Sequence, residues 1–209
     1  IGYIVDEFAE SVEWPEFKFL ALNVEEGYSP KYIANYNRKL LKLTPDEPVS
    51  NIIRLFENFG VIVYEIYSHE KFDGLSFITD KGFPIIVINK WLSNDRKRFT
   101  LAHELGHILM HNENNYPVSP SRPKEVEANE FAGEFLMPEQ AIKASLVGLR
   151  MSSLSELKIY WQTSMSSIIR RAKNLGCIGD ERYRFFMIEM SRLGFTKKEP
   201  IELSIDEPS

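Results

Sequence analysis

The residues best suited to catalysis lie within one five-residue stretch of the chain. His103 and His107 are four positions apart, and Glu104 directly follows the first histidine. On a helix the two imidazoles lie on one face about 6 Å apart, so that both can bind one Zn²⁺. The carboxylate of Glu104 lies beside that face, where it can take a proton from an attacking water and pass it to a leaving amine. The pattern therefore predicts a zinc site for peptide hydrolysis.

A catalytic zinc has three protein ligands and one open position, so a third ligand is expected on another element. The segment 125–132 offers two acids, Glu125 and Glu127. Glu125 shares a helix face with Asn129, which lies one turn further on and can orient a ligand histidine. Glu127 points roughly 160–200° away on an ideal helix and is the weaker candidate, although a helix start near Lys124 leaves this phase open. The predicted ligands and general base are, in that order, His103, His107, Glu125 and Glu104.

Two other histidines are expected to have different roles. His111 lies eight residues after His103, and about 12 Å of helix prevents both from binding one tetrahedral metal unless the helix ends first. We expect a structural or rim role for His111. His69 lies in the polar turn 68–71 and is expected to be an exposed loop residue, with transition-state stabilisation as its alternative role.

Composition excludes several other classes of protein. The 209 residues are 44% hydrophobic and 26% charged, which suits one large globular domain or two small ones. No apolar run approaches the roughly 20 residues that span a bilayer, so no membrane partner is expected. The single Cys177 permits neither an internal disulfide nor a thiolate zinc cluster. Histidine and carboxylate are thus the expected metal ligands, and a reducing cytoplasm is the expected location.

The chain before the zinc motif is predicted to form helices and a small sheet. Ser29 and Pro30 are a favourable helix start, and apolar residues at helical spacing continue to about Leu43. A second amphipathic helix is predicted from Val49 to a stop at Gly60. Three short runs rich in β-branched residues follow, and the turns between them favour an antiparallel sheet: 61–66, 74–78 and 84–89.

The zinc motif is predicted to lie on a helix that starts near Asn94, with Asp95 as its cap. The run 84–89 directly precedes this helix and is our candidate for the sheet edge that receives an extended substrate. Three prolines predict a surface loop over 112–123, which is also a candidate for a segment that blocks the cleft. The next helix is predicted over 124–136, and the fold class is therefore α+β.

Charge is unevenly distributed along the chain. The whole chain carries −5, whereas residues 151–198 contain nine Lys or Arg and four acids and carry +5. Within this stretch, 154–161 and 165–175 have the spacing of a helix-turn-helix. On DNA the second helix would offer mainly phosphate contacts: Ser166, Ser167, Arg170, Arg171 and Lys173. We favour a packing subdomain and expect weak or no DNA binding by this chain alone, because the positive surplus is modest.

The two motifs together resemble one known family. Residues 98–111 and 125–138 are similar to the ImmA/IrrE metallopeptidases, whose signature is R-F-T-x-A-H-E-x-G-H followed by E-x-x-A-N-x-F-A and L-M-P. The resemblance covers about residues 45–145. It implies a zincin-like fold, with the histidine pair and the downstream Glu as zinc ligands and the Glu of the first motif as base. Its members are cytoplasmic bacterial or phage proteins that cleave or inactivate helix-turn-helix repressors or antitoxins, often beside or fused to an XRE-type DNA-binding domain.

The sequence therefore predicts an α+β protein in three parts: an N-terminal helical segment (1–45), a zincin-like metallopeptidase domain (46–148), and a basic helical subdomain with an acidic tail (149–209). The predicted function is zinc-dependent endopeptidase action on a helix-turn-helix repressor or antitoxin. The alternative is a DNA-binding or sensor regulator whose metal site is structural or regulatory. The chain starts without methionine. Loss of an upstream DNA-binding domain and a shortened chain both fit this start.

Overall fold

The computed structural model describes residues 7, 9, 11–69, 71–112 and 117–209. The α-helices with described bounds are α1 (Pro30–Leu40), α2 (Ile52–Asn58), α3 (Asn94–Met110), α4 (Lys124–Leu136), α5 (Glu139–Leu146), α6 (Leu154–Trp161), α7 (Met165–Asn174) and α8 (Asp180–Arg192). The strands are β1 (Ile62–Ile66), β2 (Gly74–Ile78) and β3 (Pro84–Asn89). The predicted α+β class is confirmed. Among the described helices, none combines the length and apolar composition that a membrane span requires.

The predicted elements differ from the observed ones mainly at helix ends. The first helix ends at Leu40 rather than near Leu43, since Lys42 adopts a left-handed conformation with φ of 59°. The second helix begins at Ile52 rather than Val49. Part of the predicted loop 112–123, namely 113–116, lies outside the described residues, and so does most of the segment before residue 11.

The sheet is mixed, and β3 is its central strand. The strand order is β1-β3-β2, in which β1 runs parallel to β3 and β2 runs antiparallel to it. Two predictions are therefore wrong: the sheet is not antiparallel throughout, and 84–89 is not an edge strand. Five of the six β3 residues are buried, as expected for a strand with neighbours on both sides and both faces covered.

The connection between β1 and β2 is held across the end of β3 by Asn89. The side-chain amide of this buried residue donates to the carbonyl oxygens of His69 (3.1 Å) and Phe72 (2.8 Å). Because the connection is fixed there, β2 pairs with the far side of β3 instead of with β1. The hydrogen bonds of Asn89 join segments distant in sequence, which the pattern of each strand does not show.

The zinc-motif helix α3 packs closely on α4. Gly106 of α3 faces Ala128 and Phe131, and a Cβ added at Gly106 would lie 3.1 Å from the Phe131 ring and 3.4 Å from the Ala128 Cα. The two alanines of α4, Ala128 and Ala132, are completely buried. Small side chains on both helices thus allow a short distance between their axes, and this distance sets the geometry of the residues they carry.

The C-terminal helices contribute to the same hydrophobic core as the zinc-motif helices. Trp161, Ile168 and Phe186 of α6, α7 and α8 belong to the buried cluster that also contains Leu105 and Phe131. No separate apolar core is therefore needed to hold these helices in place. Their side chains complete the layer beneath α3 and α4.

A buried ionic cluster also joins the C-terminal part to the start of α3. Lys158 of α6 pairs with Asp95 (2.5 Å) and with Glu199 of the C-terminal tail (2.7 Å). The N-cap of α3 is Ser93 rather than the predicted Asp95, and the Ser93 hydroxyl donates to the Asp95 carboxylate (2.5 Å). Asp95 is thus used to neutralise a buried cation instead of capping the helix.

Arg98 ties three segments together from the first half of α3. It is fully buried, and its guanidinium donates to the carbonyl oxygens of Gln162 (2.8 Å), Ser50 (2.8 Å) and Val49. Burial lowers the pKa of Arg98 to about 10, which leaves the side chain charged at neutral pH. The contacts of Arg98 therefore indicate a structural role, since they join backbone segments to α3.

Replacing Arg98 by methionine is expected to lower the free energy of unfolding by about 3 kcal/mol, because three carbonyl oxygens lose their donor. Arg96→Met is the matched control. It removes an exposed pair with Asp73 and should cost less than about 1 kcal/mol. Urea unfolding followed by circular dichroism measures both values, and equal losses would contradict the role given to Arg98.

Candidate metal centre

The structure brings His103, His107 and Glu125 together between α3 and α4. The two histidine Nε2 atoms are 3.0 Å apart, and the two carboxylate oxygens of Glu125 each lie 3.3 Å from one of them. Ligands of a tetrahedral zinc, with bonds of about 2.0–2.1 Å, lie about 3.3 Å from one another. The three side chains therefore present donor atoms at the spacing of three corners of a zinc tetrahedron.

Each of these side chains has its position for a local reason. The histidines are one turn apart on α3 and so face the same way. Glu125 lies in the first turn of α4, where the positive end of the helix dipole favours a carboxylate. The Glu125 side chain is 77% exposed, whereas those of His103 and His107 are 13% and 20% exposed. The centre is thus accessible from the Glu125 side and enclosed on the α3 side.

The tautomer of His103 is fixed by Asn129. The Nδ1 atom of His103 lies 3.1 Å from the Oδ1 atom of Asn129. An amide oxygen only accepts hydrogen bonds, so Nδ1 carries the proton and donates it. The Nε2 lone pair of His103 is then directed toward Glu125 and is available to a metal.

The tautomer of His107 is fixed through a longer relay. His107 Nδ1 lies 2.9 Å from His111 Nδ1, and His111 Nε2 lies 2.9 Å from the carboxylate of Glu127. The carboxylate only accepts, so His111 donates from Nε2 and, in its neutral form, accepts from His107 at Nδ1. Burial lowers the pKa of His111, which favours that neutral form. His107 therefore also presents an Nε2 lone pair to the centre.

Glu127 lies in this relay and not among the clustered ligand atoms. It is buried, and Arg122 donates to it as well as His111. Burial alone would raise the pKa of Glu127, but the hydrogen bonds from Arg122 and His111 lower it. Glu127 points away from Glu125, as the helix phase predicts. Its partner His111 lies at the C-terminal end of α3. The pairing of His111 with Glu127 was not foreseen, because sequence spacing does not show where α3 ends relative to α4.

Glu104 is buried beside the histidine pair, and its carboxylate accepts a hydrogen bond from the Ser76 hydroxyl (2.7 Å). Burial raises the pKa of Glu104, although Ser76 and His103 oppose the shift. A carboxylate with a raised pKa is a better base near neutral pH. Ser76 lies on β2, and no motif in the sequence indicates that it reaches Glu104.

A cleft of about 560 Å³ runs along β2 and past the centre; its lining includes Gly74, Ser76, Glu104, His107 and Glu125. β2 crosses α3 at short distance, since a Cβ added at Gly74 would lie 2.6 Å from the Thr100 methyl and 3.4 Å from the Glu104 carboxylate. Among the described residues, the backbone hydrogen bonds of β2 go to β3 only. Its other edge is therefore available to an extended chain in the cleft.

His69, the remaining histidine, is exposed in the connection between β1 and β2, as predicted. Its Nδ1 accepts a hydrogen bond from the backbone of Lys71 (3.3 Å). This described side-chain hydrogen bond of His69 is local and does not join it to the clustered side chains.

The sequence model for the IrrE N-terminal-like domain, Peptidase_M78, matches residues 56–173, which is more than half of the chain. The chain belongs to the Peptidase_M78 family. The resemblance to the ImmA/IrrE proteins is thereby confirmed. The matched range of this Peptidase_M78 chain includes residues 98–111 and 125–138, and it also extends over α6 and nearly all of α7.

A curated relative of the Peptidase_M78 chain is the "Uncharacterized immunity region protein 2" of Bacillus phage phi105. The two are 35% identical over 91 residues, which cover 41% of this chain and 56% of the phage protein. The chain thus spans about half the length of that relative.

Among solved structures, a Mycobacterium tuberculosis transcriptional regulator matches with a TM-score of 0.49 and 14% sequence identity. The match covers 68% of this chain and 46% of the regulator.

His111→Ala is expected to weaken zinc binding about 10- to 100-fold, because His107 loses the acceptor that fixes its tautomer. The matched control is His69→Ala, which removes an exposed histidine and should leave the zinc dissociation constant unchanged. Competition with a chromophoric chelator at neutral pH measures both constants. Equal zinc affinities in the two variants would show that the relay does not orient His107.

The metal-free protein is expected to lose stability as the pH falls from about 6.5 to 4. Burial, together with repulsion from His103 and His111, lowers the pKa of His107 to about 4, whereas an unfolded histidine titrates near 6.5. Between these values the unfolded state binds more protons, so the contribution is complete above pH 6.5 and is lost as the pH approaches 4.

The expected contribution of His107 is roughly 1 to 3 kcal/mol. Urea unfolding of the EDTA-treated protein at several pH values measures it, with His107→Gln as the comparison. If the free energy of unfolding varies with pH in the same way in the wild type and in His107→Gln, the lowered pKa of His107 is contradicted.

Proposed function

We propose that this chain is a zinc-dependent endopeptidase that acts on a regulatory protein, with a helix-turn-helix repressor or antitoxin as the substrate class. The observation that carries the proposal is the spacing of the donor atoms of His103, His107 and Glu125, with the buried carboxylate of Glu104 beside them. Two neutral imidazoles and one carboxylate with an adjacent base are the donor set of hydrolytic zinc sites. Membership of Peptidase_M78 supports the same reaction class.

When bound, zinc polarises the scissile carbonyl and lowers the pKa of the attacking water. Glu104 takes a proton from that water as its oxygen adds to the carbonyl carbon, and passes the proton to the departing amine as the C–N bond breaks. The hydrogen bond from Ser76 holds one carboxylate oxygen of Glu104, which leaves the other for this transfer. The raised pKa of Glu104 suits both the uptake and the release of the proton.

In this proposal the substrate binds as an extended segment along the outer edge of β2. That edge lines the same cleft as Glu104, His107 and Glu125. Addition of a strand to an exposed edge supplies main-chain hydrogen bonds that do not depend on sequence. β2 therefore replaces β3 as the predicted substrate-binding strand.

A regulatory substrate is supported by the setting of the relative rather than by any contact in this chain. The phage phi105 protein is named for its immunity region. We also propose that the chain acts in the cytoplasm. The alternative is a DNA-binding or sensor regulator in which the metal site has little or no proteolytic role.

Glu104→Gln separates these two functions because it removes the base and leaves the three ligand side chains in place. We expect cleavage of a candidate helix-turn-helix substrate to fall by about 10²- to 10⁴-fold, with unchanged zinc content. Glu181→Gln, at an exposed position of α8, is the matched control and should cleave at the wild-type rate. Mass spectrometry of the fragments gives the rate and the cleavage site.

Two outcomes would contradict the proposal. One is equal cleavage by wild type and Glu104→Gln, which would exclude Glu104 as the base. The other is full biological output from Glu104→Gln together with loss of output in His103 or His107 variants, which would favour a regulatory metal site over proteolysis.

A further inference from the structure

The N-terminus of α7 is already occupied by a side chain of the same protein. The Glu199 carboxylate accepts from the backbone N–H groups of Met165 (2.9 Å) and Ser166 (3.3 Å), and it also pairs with buried Lys158. In a DNA-bound helix-turn-helix, the first residues of the second helix meet the nucleic acid. A carboxylate at this position would repel phosphate, so α7 is poorly suited to that role.

One predicted phosphate contact of α7 is also used internally. Arg171 is buried, and its guanidinium pairs with Glu134 of α4 and donates to the carbonyl oxygen of Met137 (3.1 Å). Arg171 is therefore not free to make the phosphate contact that the DNA-binding alternative would require of it. It instead fastens α7 to α4, in agreement with the packing role favoured from the sequence.

The remaining polar face of α7 forms one wall of a second cleft, with a volume of about 870 Å³. α4 forms the opposite wall, and Tyr183 and Met187 of α8 also contribute. The α7 wall contains Ser166, Ser167, Arg170 and Asn174. The face that a DNA-binding protein would turn outward is thus directed into a cleft between helices.

This cleft lies close to the candidate metal centre. Asn129 lines it, and the same side chain accepts the hydrogen bond from His103. Phe99, one turn before His103 on α3, lines it as well. The first cleft, along β2, is lined by His107 and Glu104. The first cleft is therefore lined by His107 itself, and the second is lined by the hydrogen-bond partner of His103.

The charges that line the second cleft fall into two groups. Four of the charged side chains are paired internally: Lys31 with Glu139, and Arg171 with Glu134. Arg170 on α7 and Glu130 on α4 form no ion pair or hydrogen bond with any described residue. The Arg170 guanidinium is held over the Tyr183 ring at 5.0 Å, which fixes its direction and leaves its N–H groups available to a ligand.

We propose that the second cleft binds a segment of the protein substrate beyond the scissile bond, with an acidic residue at Arg170 and a basic residue at Glu130. The inference rests on the proposed peptidase function for its substrate class. The edge of β2 binds the substrate on one side of the scissile bond through main-chain hydrogen bonds. The cleft between α4 and α7 binds the segment on the other side and selects it by charge. Helix α7 thus serves substrate recognition.

Binding of short peptides to Glu104→Gln protein tests this proposal without cleavage. The probes are fluorescein-labelled peptides of equal length that carry one Asp and one Lys at varied separation and in both orders, with Asn and Gln replacing them in the neutral counterparts. We expect at least one charged peptide to bind about fivefold more tightly than its neutral counterpart in fluorescence anisotropy. Arg170→Ala should abolish this preference, whereas Arg184→Ala, an exposed change on α8 outside the cleft, should retain it.

The charge-exchanged variant with Arg170→Glu and Glu130→Arg should prefer the peptide in which Asp and Lys are interchanged. Circular dichroism verifies that each variant is folded. The proposal is overturned when no charged peptide binds better than its neutral counterpart, or when Arg170→Ala keeps the preference. Peptide affinities measured with and without zinc should agree. The binding test therefore remains valid even if the chain does not bind zinc. Cleavage of the preferred peptide by zinc-loaded wild type tests the proposed function separately.

Discussion

The close contact between α3 and α4 is the constraint on which the candidate centre depends. Gly106 permits the approach of Ala128 and Phe131, since a Cβ there would lie only 3.1 Å from the Phe131 ring. His103 and His107 lie on one helix and Glu125 on the other, so this approach determines whether the three sets of donor atoms meet. The interior packing, rather than any contact among the ligands themselves, therefore produces the 3.0–3.3 Å spacing.

Hydrogen bonds determine which ring nitrogen of each clustered histidine carries the proton. Asn129 and the His111–Glu127 relay hold the Nδ1 protons of the two histidines, which leaves both Nε2 lone pairs directed inward. The low pKa of His107 has the same consequence, since the neutral imidazole is the form that binds a metal. Burial shifts the pKa of Glu104 in the opposite direction, upward. These protonation states fit the roles of ligand and base that we propose for the histidines and for Glu104.

Much of this arrangement was predictable from local sequence. The four-residue histidine spacing, the choice of Glu125 over Glu127 as candidate ligand, and the bounds of β2, β3 and α4 follow from periodicity and helix phase, and the structure places these side chains and elements accordingly. The full strand order was not predictable, because the hydrogen bonds from Asn89 to His69 and Phe72 join segments distant in sequence. The nearly uninterrupted apolar run of 84–89 did contain a signal for a central strand. The Ser76–Glu104 bond, the Glu199 cap and the burial of Arg171 all depend on tertiary contacts, which residue type alone does not specify.

Zinc K-edge X-ray absorption spectroscopy on the zinc-loaded protein, together with its zinc content, tests the proposed metal centre most directly. We predict one zinc per chain with two imidazole nitrogens and carboxylate oxygen at about 2.0–2.2 Å, and loss of the carboxylate contribution in Glu125→Ala but not in the exposed control Glu130→Ala. Absence of stoichiometric zinc, or a spectrum without two imidazoles, would contradict the proposed centre.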